Sequence, residues 1–430
     1  MLASRLSWSI PSLLSLALWT GCGDGTIGDT DAGTTDTDAD TTAGPDSGDT
    51  TGDDTTSATT DDSSGSDTAS SSSSTEPDPT DSTATDPTTD PTTDPTTDPT
   101  TDPTTDPTTD PTGGAIGLCG DEPPDGAMLA PPLPTYGGAC PIIETGPDNL
   151  NVLPGITTIF NFPQMIDREF MVIAPEDLGA DEVLPVIFMW HWLGGDAKGF
   201  YNRSEVQDAT NFYRFIAVIP NGRQIEQGIL FKWPFAITDS MAQMEQDFTL
   251  FEDMLACVAE QFNVDKECIS STGVSAGGLF TSQLAGHHGQ RLASFISLSG
   301  GTGGATVKPW NPARHKMPAM VLWGGPDDFC IAVDFNQTSK DLEMHLESEG
   351  HFVVECIHNC THATPPFEPP PEIPTYSAMW RFFLDHPYWI DPGTSVYQDE
   401  GLPDFYPEWC AVGVGNAEMR QGECGGSECQ

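Results

Sequence analysis

The stretch Cys268-Ile269-Ser270-Ser271-Thr272-Gly273-Val274-Ser275-Ala276-Gly277-Gly278-Leu279-Phe280-Thr281-Ser282-Gln283-Leu284 reads as a short buried strand, a sharp turn and a helix. A serine hydroxyl is a weak nucleophile at neutral pH, so it has to be lifted into reach of a base and set beneath hydrogen-bond donors. A strand-to-helix elbow does both. Small residues at 273 and 277 let the chain turn without side-chain clashes, and the amino terminus of the helix favours negative charge nearby. Ser275 is therefore the candidate nucleophile. Ala276, which opens the helix, is the candidate for one of two backbone N–H donors toward a developing oxyanion.

Working outward, further apolar runs read as buried strands: Val183 to Trp190, Phe215 to Ile219, Ala293 to Leu298, Ala319 to Trp323 and Phe352 to Cys356. Thr157 to Ile173 reads as a hairpin or edge strands. Between them lie helical patterns over Met244 to Phe262, Gly278 to Leu284, Thr338 to Leu346 and Tyr376 to Leu384. Strands that are apolar throughout and alternate with helices predict an α/β fold with a mostly parallel central sheet and helices on both faces. Sites in such sheets collect at the carboxyl ends of the strands.

With a serine nucleophile, an acid and a histidine are expected later in the chain, in that order, each in a loop after a strand. Gly324-Gly325-Pro326-Asp327-Asp328 follows one strand and offers two carboxylates. Ile357-His358-Asn359-Cys360-Thr361-His362 follows the next. The second oxyanion donor is expected from His191-Trp192-Leu193-Gly194-Gly195, the loop after the strand that ends at Trp190. A lone loop aspartate is usually a turn former and a lone histidine usually structural, so it is the coincidence of three correctly ordered positions that carries weight.

Over about residues 180 to 390 these features resemble the secreted polyhydroxybutyrate depolymerase and feruloyl esterase-like group of α/β-hydrolases. The resemblance rests on the His191 loop, Pro220-Asn221-Gly222, Asp247 with Phe248, Asp265, the Gly273 to Gly278 elbow, the Asp327 loop and His362. It implies an α/β-hydrolase fold and cleavage of carboxylic esters, polymeric ones included, through an acyl-enzyme. It selects Asp327 as the acid and His362 as the base, and it places the second oxyanion donor at Leu193 in preference to Trp192, which stands where the family usually has glycine and is the other candidate at the oxyanion site. His191 and Trp233 are expected to contact substrate. No metal or organic cofactor is implied, and a monomer is expected.

Three other readings use the same residues. A peptidase or amidase would share the triad. The spacing Cys356-x-His358-x-Cys360-x-His362 offers zinc-ligand types, but alternate residues of an extended strand project in a line rather than around a tetrahedron. A catalytically silent binding protein could use Trp190, Trp233, Trp310 and Trp323 on a carbohydrate or polymer surface, although core packing suits Trp190 and Trp323 better.

Composition divides the chain. Residues 1–22 read as an export signal: Arg5, then an apolar run through Leu13, Leu14, Leu16, Ala17 and Leu18, too short to span a bilayer. Thr20-Gly21-Cys22 resembles the end of a bacterial lipoprotein box, so a lipid on Cys22 is the one membrane attachment expected, with Trp19 a departure from the usual aliphatic residue. Residues 23–114 are Asp, Thr, Ser, Gly and Pro with a Thr-Thr-Asp-Pro repeat, which predicts a disordered spacer. Residues 115–156 form a cysteine-bearing entry segment, 157–392 the α/β domain and 393–430 a cysteine-rich tail.

The net charge is −50, and 23 of the 65 acidic residues lie in residues 22–113, leaving about −28 on the remainder. That charge excludes nucleic acid as a partner, because such binding needs a basic footprint. Eleven cysteines, or ten besides Cys22, suit disulfides in an oxidising compartment. Cys257 with Cys268 is the local pair expected, from a helix end to the next strand.

Overall fold

The computed structural model describes residues 117–154, 167–223 and 232–424. The signal, lipid-site and spacer assignments therefore lie outside the described residues. So do the first part of the 157–173 stretch and the end of the tail.

Among the described residues nine strands form one sheet: β1 (Asn151–Leu153), β2 (Arg168–Ile173), β3 (Leu184–Trp190), β4 (Ile216–Pro220), β5 (Val264–Val274), β6 (Ser294–Leu298), β7 (Ala319–Trp323), β10 (Val353–Ile357) and β11 (Cys410–Val412). Their order is β1-β2-β4-β3-β5-β6-β7-β10-β11. The six strands from β4 to β10 run parallel, β2 and β11 run opposite to them at the two sides, and β1 pairs antiparallel with β2 at the edge. A two-stranded ribbon, β8 (Phe329–Cys330) with β9 (Val333–Asp334), stands apart from the sheet.

The central strands are buried on both faces, which is why they read as unbroken apolar runs rather than as alternation. Along β3, Val186, Phe188 and Trp190 join one core and Ile187 and Met189 the other. The first core is covered by α3 (Met241–Ala259), α4 (Ala276–His288) and α5 (Phe335–Glu349). The second is covered by α1 (Ala197–Arg203), α2 (Val206–Tyr213) and α6 (Ser377–Leu384), with the short α7 (Tyr397–Glu400) beside it. Edge contacts between rings lock helix to sheet, with Phe188 on Phe251 at 4.6 Å and Trp190 on Phe280 at 4.7 Å. α3 starts with a full capping box between Ser240 and Gln243. The arrangement is the α/β-hydrolase fold expected from the sequence.

Chain order reverses around β3: β4 lies on one side of it and β5 on the other. The crevice outside the carboxyl ends of β3 and β5 is thus the switch point where such sheets bind ligands.

The disulfides correct the expected local pair. Cys268 is bonded to Cys119 and Cys257 to Cys140. The cause is the sheet itself: Cys257 faces the first core from α3, whereas Cys268 faces the second from β5, so the two lie on opposite sides. Both bonds tie the entry segment to the body. Cys356–Cys410 joins β10 to β11 across directly paired positions, and Cys360–Cys424 anchors the loop after β10 to the tail. The four cysteine and histidine residues from 356 to 362 therefore do not form a zinc site, and no metal-ligand cluster occurs among the described residues. Among those residues no helix is long and apolar enough to cross a membrane.

Candidate active site

β5 ends at Val274 and α4 begins at Ala276, so Ser275 occupies the turn between them, at φ 56° and ψ −119°. A non-glycine residue there is strained, and the surroundings enforce it. The Ser275 N–H donates to the Leu298 carbonyl of the neighbouring strand at 2.9 Å. A Cβ on Gly273 would overlap the backbone of Gly277, and one on Gly277 would overlap the Trp190 carbonyl of β3. The glycines are thus the condition for packing the elbow against β3.

Ser275 Oγ lies 3.0 Å from His362 Nε2, and His362 Nδ1 lies 2.7 Å from Asp328 Oδ1. The second Asp328 oxygen accepts from the Ser299 hydroxyl at 2.7 Å and from the Gly324 N–H at 2.8 Å. Serine, histidine and aspartate thus make a continuous hydrogen-bonded line, all three buried. The Phe335 ring lies flat against His362, 4.4 Å between centroids at 23°, and fixes the plane of the imidazole.

The carboxylate is Asp328, not Asp327, and this corrects the expectation from sequence. Gly325 takes φ 80°, and the Asp328 N–H closes a turn onto its carbonyl at 3.2 Å. The turn leaves Pro326 and Asp327 in solvent and points Asp328 inward. The sequence offered both aspartates, and only the turn geometry separates them.

Ala276 is the first residue of α4, so its N–H has no acceptor within the helix. Ala276 and Leu193 line, together with Ser275, a cavity of about 240 Å³. Two of the three residues expected at the oxyanion site, Ala276 and Leu193, thus line the same cavity as Ser275. Trp192 does not line the cavity. Its ring stacks on Phe200 at 6.2 Å, and the Arg203 guanidinium lies 4.9 Å above it. A bulky residue is tolerated at 192 because its side chain leaves the loop on the far side.

His191 and Trp233, expected to contact substrate, are both fully buried, and neither lines this cavity. They hold the 191–195 loop. His191 Nδ1 donates to the Trp192 carbonyl at 2.7 Å, while Nε2 accepts from the Gly222 N–H at 3.0 Å. Those partners require the neutral ring, and burial lowers its pKa to about 4. The Trp233 indole N–H donates to the His191 carbonyl at 2.8 Å and the Lys232 ammonium to the Gly195 carbonyl at 2.7 Å. With the Gly195 N–H on the Trp192 carbonyl at 3.0 Å, the carbonyls of residues 191, 192 and 195 all have donors. Behind the loop, Asp247 is paired with Arg168 and Arg223, and Arg168 also donates to the Asn221 carbonyl. The Lys232, Ser299 and Gly324 contributions carry no motif and could not be read from the sequence.

The chain matches no protein-family model and no curated protein. Solved structures do align with it. Native sOPH is 17% identical, with 65% of this chain and 99% of that one covered, at a TM-score of 0.48. Native pOPH is 15% identical, with 64% and 97% covered, also at 0.48. An acetyl xylan esterase from Aspergillus awamori is 15% identical, with 42% and 74% covered, at 0.35.

Proposed function

We propose that this chain is a serine hydrolase of carboxylic esters, with Ser275 as nucleophile, His362 as general base and Asp328 as the group that orients the imidazole. One observation carries the reading: the Ser275–His362–Asp328 line at 3.0 and 2.7 Å, set on a strained strand-to-helix elbow beside a cavity. His362 Nε2 takes the Ser275 proton as Oγ attacks the ester carbonyl, and the developing oxyanion is met by the N–H groups of Ala276 and Leu193. The imidazolium then protonates the departing alcohol oxygen. Water, deprotonated by the same nitrogen, cleaves the acyl-enzyme and restores Ser275. Asp328 keeps Nδ1 protonated throughout, so that Nε2 faces the serine.

Export and lipid attachment at Cys22 belong to the same proposal, as does hydrolysis outside the cell. They rest on the leader-like sequence and on cysteines paired in four disulfides between described residues. The test is hydrolysis of p-nitrophenyl butyrate by the full chain and by Ser275→Ala, with a fluorophosphonate probe for the activated serine. The expected result is labelling and turnover by the wild type and neither by the variant. Turnover retained in Ser275→Ala would remove Ser275 from its role.

A further inference from the structure

The cavity beside Ser275 has a lopsided wall. Leu193, Phe235, Ile237, Leu279, Val333 and Phe335 are among the residues that line it, and among the described residues no ionisable side chain does. Both oxyanion donors, Leu193 and Ala276, stand on the wall, whereas His362 does not. During acylation the departing oxygen has to lie next to His362 Nε2, which protonates it. The alcohol therefore leaves on the histidine side, and the cavity receives the other half of the ester. Resting on the ester-hydrolase reading, we infer that the cavity is an acyl pocket selective for uncharged, apolar acyl groups several carbons long. It disfavours acetyl, which leaves it unfilled, and carboxylated acyl groups, whose charge would be desolvated without a partner.

Size agrees with this assignment. A volume of about 240 Å³ far exceeds the roughly 10–15 Å³ that one water needs, and an apolar wall gives water few partners. Filling it with methylene groups is the favourable alternative. The outer wall is the β8–β9 ribbon, which begins directly after Asp328 and is held to it by the Phe335 N–H on the Asp328 carbonyl at 2.8 Å. At its tip Ile331, also on the wall, is held at φ 56°, a conformation that a β-branched residue seldom adopts. Its neighbour Cys330 is disulfide-bonded. The acyl wall is thereby tied to the acid of the triad.

The test is kcat/KM of the full-length protein on p-nitrophenyl acetate, butyrate, hexanoate, octanoate and hemisuccinate. The expected profile rises by about fourfold per added methylene, the equivalent of ~0.8 kcal/mol each, until the cavity is full, and then levels or falls. Hemisuccinate should fall at least about tenfold below butyrate, the cost of leaving its carboxylate unpaired. Val333→Phe should move the optimum to a shorter chain and Leu279→Ala to a longer one. The inference is overturned if acetate is the best substrate, if hemisuccinate matches butyrate, or if both variants fold and keep the wild-type profile. Should one variant not fold, the wild-type profile and the other variant still decide. A protein that cleaves none of these esters and is not labelled by a fluorophosphonate would instead overturn the ester-hydrolase reading, and this inference with it.

Discussion

Asp328 and His362 meet through Oδ1 and Nδ1 at 2.7 Å, and the other Asp328 oxygen is held between the Ser299 hydroxyl and the Gly324 N–H. Three donors thus converge on one fully buried carboxylate, whereas its neighbour Asp327 stands in solvent. Asp328→Asn keeps the shape but stabilises the wrong imidazole tautomer, so kcat on a p-nitrophenyl ester should fall on the order of 10⁴-fold. Asp327→Asn should stay within about a factor of two, as for an exposed residue that touches nothing in the site. Kinetics of the two single variants check this, and a larger loss in Asp327→Asn would reverse the assignment.

That pair of aspartates also marks where the sequence stops being legible. The parallel strands could be read because residues such as Val186 to Trp190 are buried on both faces, and burial of that kind leaves an unbroken apolar run. Ser275 could be read because its elbow needs small residues at fixed offsets. Asp327 and Asp328, by contrast, are adjacent and chemically identical. One positive φ at Gly325 decides between them, and no residue pattern encodes it uniquely. His191 and Trp233 are hard to place for a related reason: a polar ring next to such a loop looks the same in sequence whether it faces a ligand or braces backbone. β11 leaves no signal in the sequence because three residues, Cys410 to Val412, are too few to show a period, and their place in the sheet depends on pairing with β10.

The brace on the 191–195 loop makes a second prediction. The Trp233 indole N–H is the donor to a buried His191 carbonyl, and the Lys232 ammonium holds the Gly195 carbonyl at the other end. Trp233→Phe keeps most of the ring volume and leaves that carbonyl unsatisfied, at a cost of about 1–3 kcal/mol. The oxyanion exists only as the ester reacts, so the loss should fall on kcat, by roughly tenfold, with KM little changed. Lys232→Met should act in the same direction. Steady-state kinetics beside thermal melts check it: a lower Tm with full kcat would mean that the brace serves stability alone.

Acid sensitivity follows from four histidines. Burial lowers the pKa of His191, His315, His358 and His386 to about 4, against an ordinary value of 6.5. Between those limits the unfolded chain binds protons that the folded chain does not. The stability these residues contribute is therefore whole above pH 6.5 and is lost as the pH falls toward 4. Urea unfolding measured across pH 4 to 7 should show stability rising with pH, by up to about 1.4 kcal/mol per pH unit for each histidine titrating in the unfolded state. His386→Phe should lower that slope by up to one proton. An unchanged slope would mean that His386 is not held neutral in the fold.

Glu343 pushes the other way. It lies on the buried face of α5, where desolvation first and the charge of Glu355 second raise its pKa to about 9. Lys340 opposes the shift and Glu347 adds to it, and one Glu343 oxygen has no hydrogen-bond partner. From about pH 4.5 to 9 the folded protein keeps a proton that the unfolded chain has released, so stability contributed by the protonated carboxyl is lost as pH rises through that window. Glu343→Gln holds a neutral group of nearly the same shape at every pH. Its Tm should therefore exceed that of the wild type by a margin that grows from pH 5 to pH 9 and closes near pH 4.5. A constant margin across that range would show that Glu343 does not take up its proton on folding.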